Sequence, residues 1–189
     1  MLASRSLLRL FLVALTLAPA VGRAQSADDT RYPCRNVHTF DFWVGTYDAM
    51  PWDKPDASSG GQLHNAREYD GCVFVERWTS ADPKGNMGMS MVFYDTTRKT
   101  WRMVWNDDAN GSTVFDKGEY TDGAMRFTGW KADPRDPKGS LVMVQNVLEN
   151  VSPGLIRHIF SISPDSGKTW KVLSDGRFVM RNNRSSLNR

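Results

Sequence analysis

Three histidines, two cysteines and one carboxylate on an apolar stripe are the residues of this 189-residue chain that could do chemistry. His158 lies in Leu155-Ile156-Arg157-His158-Ile159-Phe160-Ser161-Ile162, in phase with Ile156, Phe160 and Ile162. Strand alternation puts those side chains on one face, so His158 is expected on the apolar side. An imidazole there is a satisfied core group, a polar group that orients a ligand or moves a proton, or a haem ligand. His38, just before an aromatic cluster, reads as a backbone hydrogen-bonder, and His64, in a polar strand after Gly60-Gly61, reads as exposed. Glu76 shares its phase with Phe74 and Trp78, which makes it a candidate inward carboxylate. A buried carboxylate needs a cation or several donors, and Arg102 and Arg157 are the candidates to supply one.

Cys34 and Cys72 are the only cysteines. In an oxidising compartment two thiols pair, and closing a loop of this length stabilises a fold by about 3–4 kcal/mol in the chain-entropy model. A metal site from Cys34, His38 and Cys72 lacks any CxxC or HxxxH spacing. No nucleophile elbow or phosphate-binding glycine loop appears, and no cofactor or metal is expected. Ser163-Pro164-Asp165-Ser166-Gly167-Lys168-Thr169-Trp170 matches the aspartate-box hairpin of sialidase propellers. That motif caps a turn, and a single copy cannot build a propeller.

The elements that must position these residues begin after residue 24. Arg5 and Arg9, the apolar run Leu10 to Ala18 and the small residues Gly22 and Ala24 have the three-part form of a secretory signal, with cleavage expected after Ala24. Residues 1–24 are thus expected to leave, and 25–33 to form a loose polar segment. Residues 34–181 are read as the folded domain and 182–189 as a disordered tail. The product is expected in the periplasm or secreted, without a membrane anchor. The net charge of +3 belongs to the export signal, because without Arg5, Arg9 and Arg23 the basic and acidic residues are equal in number. Nothing in that balance proposes nucleic acid as a partner.

Residues 42 to 180 form about ten short runs with period-two alternation, separated by Asp70-Gly71, Asp95-Thr96-Thr97, Asn110-Gly111, Asp122-Gly123 and Asp165-Ser166-Gly167. This pattern predicts an all-β, antiparallel up-and-down barrel, since hairpin-joined strands of this number remove their exposed edges by closing. The predicted strands are 42–50, 62–69, 72–79, 87–94, 100–106, 112–120, 124–130, 140–147, 155–163 and 170–180. Alternation suggests that Met87, Met89, Met91 and Phe93 form one inward stripe and Trp101, Met103 and Trp105 the next, continued by Met125 and Phe127 and by Val142 and Val144. Such stripes are either a filled core or the wall of a pocket for a small apolar molecule. On the second reading the ligand-binding residues are Trp78, Met89, Met91, Trp101, Met103, Trp105, Phe127 and His158.

Phe40-Asp41-Phe42-Trp43-Val44-Gly45-Thr46-Tyr47 resembles the opening FDFW-x-G-x-W segment of a widespread, largely uncharacterised bacterial family. Gly71-Cys72-Val73-Phe74-Val75-Glu76-Arg77-Trp78, Phe93-Tyr94-Asp95 with Trp101 and Trp105, and Ser163 to Trp170 look like its later motifs. The resemblance implies a calycin-like barrel, related in shape to lipocalins and haem-binding nitrobindins, with no agreed activity. The opening segment would plug one barrel end. Tyr47 departs from the family's usual tryptophan and brings a hydroxyl that needs a partner, and Ser161 stands where many relatives carry glutamate. The function expected is capture of a small, mainly apolar ligand. An isomerase or hydrolase using the same cavity, with Glu76 or His158 as acid or base, and a non-catalytic envelope interaction module are the alternatives. Oligomeric state is not legible.

Overall fold

A computed structural model describes residue 34 and residues 37–133 and 136–181. The expected signal (1–24), polar segment (25–33) and tail (182–189) lie outside the described residues. Ten strands follow in order: β1 (Gly45–Pro51), β2 (Gly61–Glu68), β3 (Val73–Ser80), β4 (Met87–Asp95), β5 (Thr100–Asp107), β6 (Gly111–Thr121), β7 (Ala124–Ala132), β8 (Leu141–Ser152), β9 (Leu155–Ser163) and β10 (Lys171–Met180). Each pairs antiparallel with its sequence neighbours, and β1 closes on β10 with Tyr47 opposite Met180, so the sheet is a closed up-and-down barrel of calycin-like form.

The turns carry the backbone conformations their residues permit. Asp122 and Gly123 both have positive φ, 50° and 74°, as a two-residue hairpin between Thr121 and Ala124 requires. In the aspartate-box hairpin, Asp165 accepts from the Thr169 backbone N–H at 2.8 Å, from the Thr169 hydroxyl at 2.6 Å and from Ser163 Oγ at 2.7 Å. These bonds hold the Asp165 carboxyl down at about 2.

One barrel end is filled. Asp41–Trp43 form a 3-10 turn rather than the start of a strand, and this turn drops Phe40 and Trp43 into the barrel. Phe40, fully buried, meets Phe74, Trp101 and Phe127 at 5.2–6.0 Å between ring centres. Trp43 stacks on Tyr47 at 5.7 Å, and Asn65 Nδ2 donates to the Trp43 carbonyl at 2.9 Å. The Tyr47 hydroxyl finds its partner in the Phe42 carbonyl at 2.9 Å, and burial pushes its pKa up to about 12. Arg67, opposite Phe74 in register and over its ring, ties the plug down: it donates to Asp41 at 2.8 Å, to the Gly71 carbonyl at 2.9 Å and to the Val37 carbonyl at 3.3 Å. The Cys34–Cys72 disulfide joins the segment before the plug to the β2–β3 turn.

The structure corrects the facing of β4. Met87, Met89 and Met91 are 58%, 38% and 40% exposed on the outer surface, while Ser90 and Val92 are buried inside. The hairpin register is the reason. Asp95 pairs with Thr100, so Val92 stands opposite Met103 and Ser90 opposite Trp105, and directly opposed residues share a face. With Trp101, Met103 and Trp105 inward, the methionine stripe must point out. The small residues on the inner face make room for large neighbours: a Cβ on Gly88 would lie 2.4 Å from the Trp105 ring, and one on Gly61 would lie 2.2 Å from the Trp78 ring. In β6 the register shifts between Phe115 and Lys117, so the alternation changes phase and Gly118 comes to pack under Phe127.

Candidate functional site

Beyond the plug the barrel is hollow. A cavity of about 510 Å³ reaches the β3–β4 and β5–β6 loops at the opposite end. Its walls are mainly apolar: Leu63, Trp78, Met103, Trp105, Phe115, Phe160 and Phe178. Polar groups stand at two levels. Asn86, Asp107, Asn110, Lys131 and Ser174 line it toward the mouth, and Glu76, Thr113, Asn146 and His158 line its interior.

Of the residues expected to bind a ligand, Trp78, Met103, Trp105 and His158 are brought together on this cavity. Trp101 and Phe127 are buried but belong to the plug cluster. Met89 and Met91 face outward, for the register reason given above, and are removed from the set. Leu63, Phe115, Asn146, Phe160 and Phe178 complete the wall and were not singled out from sequence. Phe160 shares the phase of His158, a signal that was present; Asn146 sits among Val142, Val144 and Leu148 and carried the mark of a polar residue on an apolar stripe.

Glu76 faces inward as its phase with Phe74 and Trp78 required, but neither expected arginine reaches it. Arg157 makes a two-bond ion pair with Asp175, at 2.9 and 2.7 Å, and lies over the Trp52 ring. Arg102 lies over Phe93 and 3.9 Å from Asp95. The Glu76 carboxyl instead accepts from Ser90 Oγ at 2.7 Å, with Ser90 supplied by β4 directly opposite in register. Desolvation pushes its pKa up to about 7, against the opposing pull of the Ser90 hydrogen bond.

His158 stacks on Phe178, which lies two residues along β10 from its cross-strand partner Gly176, with ring centres 5.1 Å apart. Its surface is partly open to the cavity while the barrel wall surrounds it. Desolvation drives its pKa down to about 4, the negative charge of Asp175 acting the other way, so it is neutral near pH 7. Asn146 Nδ2 approaches Met103 Sδ at 3.6 Å, and its Oδ1 has no hydrogen-bond partner among the described residues.

His64 is exposed and bonds Thr46 at 3.1 Å, and His38 lies against Asp41 at 2.7 Å, its contacts being with side chains rather than the expected backbone. Cys34 and Cys72 are joined, and no group of three or more histidine, cysteine, aspartate or glutamate side chains able to hold a metal ion occurs among the described residues. The chemistry available inside is therefore apolar and aromatic contact, hydrogen bonding, and proton exchange at Glu76 and His158. No family model matches the chain, and no curated protein matches it.

Proposed function

We propose that this protein is an exported binding protein that holds a small, mainly apolar molecule inside its barrel. The observation that carries this reading is the cavity of about 510 Å³, closed by the aromatic plug at one end and reached from the loops at the other. Its size falls in the range of small-molecule sites, and its walls are apolar with a few inward polar groups, as such sites are. A filled core would bring those side chains into contact and leave no such volume. The Cys34–Cys72 bond fits an oxidising compartment and so agrees with export to the periplasm or beyond. The signal-like pattern of residues 1–24 agrees with the same placement.

The test is native mass spectrometry of protein purified from its export compartment, before and after denaturation. A released small molecule supports the reading. No bound mass, together with no rise in melting temperature across an apolar ligand library, would sink it.

One observation favours a second reading. Glu76 near pH 7 and His158 near pH 4 hold separated proton affinities in one cavity, the arrangement of an acid and base for isomerisation or hydrolysis. Turnover of a captured ligand, lost in both Glu76→Gln and His158→Gln, would establish it. Unchanged ligand after long incubation would exclude it.

A further inference from the structure

The charges lining the cavity are unbalanced in one direction. Two carboxyl groups, Glu76 and Asp107, face it with one ammonium, Lys131. Asp107 is occupied by its own turn, accepting from Trp105 Nε1 at 2.7 Å and from the Ala109 backbone N–H at 2.9 Å. Glu76 differs: it is 9% exposed, Ser90 donates to one oxygen, and no cation among the described residues pairs with it. A carboxylate taken out of water without a counter-charge is unfavourable, and one hydroxyl donor does not compensate it. A bound molecule that brings positive charge to this position would.

The surroundings suit such a molecule. Trp78 lies two residues along the same strand and so on the same inner face as Glu76, while Trp105 pairs with Ser90, itself paired with Glu76. Indole faces attract ammonium groups, most strongly where water is displaced. Resting on the ligand-binding reading above, we propose that the cavity selects organic amines, with an apolar or aromatic body against Met103 and Phe160 and the protonated nitrogen at Glu76 between the Trp78 and Trp105 walls. Lys131, one residue from the open end of β7, sets the opposite preference at the mouth, so both signs of charge must be compared.

Titration calorimetry with three matched probes, 1-naphthylmethylamine, 1-naphthalenemethanol and 1-naphthoate, makes that comparison at constant ring size. The amine is expected to bind roughly ten-fold tighter than the alcohol. Glu76→Gln should remove the amine's advantage over the alcohol, and an unchanged cooperative urea transition shows that the variant keeps its fold. Equal or tighter binding of the alcohol or the naphthoate by the wild-type protein overturns the amine preference while leaving a binding cavity in place, and so does a preference that survives Glu76→Gln. Binding of none of the three overturns the amine preference, while the cavity reading stands or falls on the bound-mass and melting-temperature test above.

Discussion

The two ends of the barrel are made from the same kinds of residue and reach opposite results. At the plugged end, Phe40, Trp43, Phe74, Trp101 and Phe127 meet one another and fill the lumen. Toward the mouth, Trp78 and Trp105 pack over Gly61 and Gly88 on neighbouring strands and leave the centre empty. The difference is what crosses the axis. Phe127 packs over a wall glycine, Gly118, as Trp78 and Trp105 do over theirs, but at its level the inserted turn brings Phe40 and Trp43 across the axis. Aromatic content alone therefore does not tell a core from a pocket; the inserted turn does.

The largest expected effect tests the plug. Phe40→Ala should cost about 3–5 kcal/mol in urea denaturation, because it empties the centre of a packed cluster. Phe160→Ala, which enlarges a space that already exists, should cost only about 1–2 kcal/mol. Equal costs would break the distinction between the ends. Next, replacing both Cys34 and Cys72 by alanine should cost about 3–4 kcal/mol, since the bond ties down the segment that carries the plug. It should leave ligand affinity within about two-fold if the ends are independent.

The mouth end is sharpened by pH. The folded Glu76 binds its proton more tightly than the unfolded chain, so its contribution to stability is lost as pH rises from 4.5 through about 7. The folded His158 binds its proton less tightly, so its contribution is lost as pH falls from 6.5 through about 4. Each displacement is worth about 3 kcal/mol. Relative to wild type, Glu76→Gln should gain stability as pH rises to 7, and His158→Gln should gain it as pH falls to 4. Parallel profiles for the two variants would mean that these groups are not buried as described. The smallest effect is expected outside: Met89→Thr should change stability by less than about 0.5 kcal/mol, against about 2–4 for Met103→Ala.

Much of this was legible in the chain. Period-two alternation and the turn residues located all ten strands, with β9 at the expected bounds and β8 extended to Ser152. The inward phase of Glu76, Trp78, Met103 and His158 was legible for the same reason, that a strand's two faces alternate. The facing of β4 was not. Its methionines form the more apolar stripe, Met87 to Met91, yet Ser90 goes inside because it stands opposite Trp105 and bonds Glu76.

Sequence by itself determined the strand-and-turn succession, the disulfide partners and the aromatic opening segment, because these rest on local alternation, local backbone preference and the presence of only two thiols. Only the tertiary structure decided which face of β4 points inward, that Arg102 and Arg157 lie away from Glu76, and that the lumen is filled at one end and hollow at the other. Those outcomes depend on which residues stand opposite one another across strands. That is a property of register and closure, and no single strand's pattern contains it.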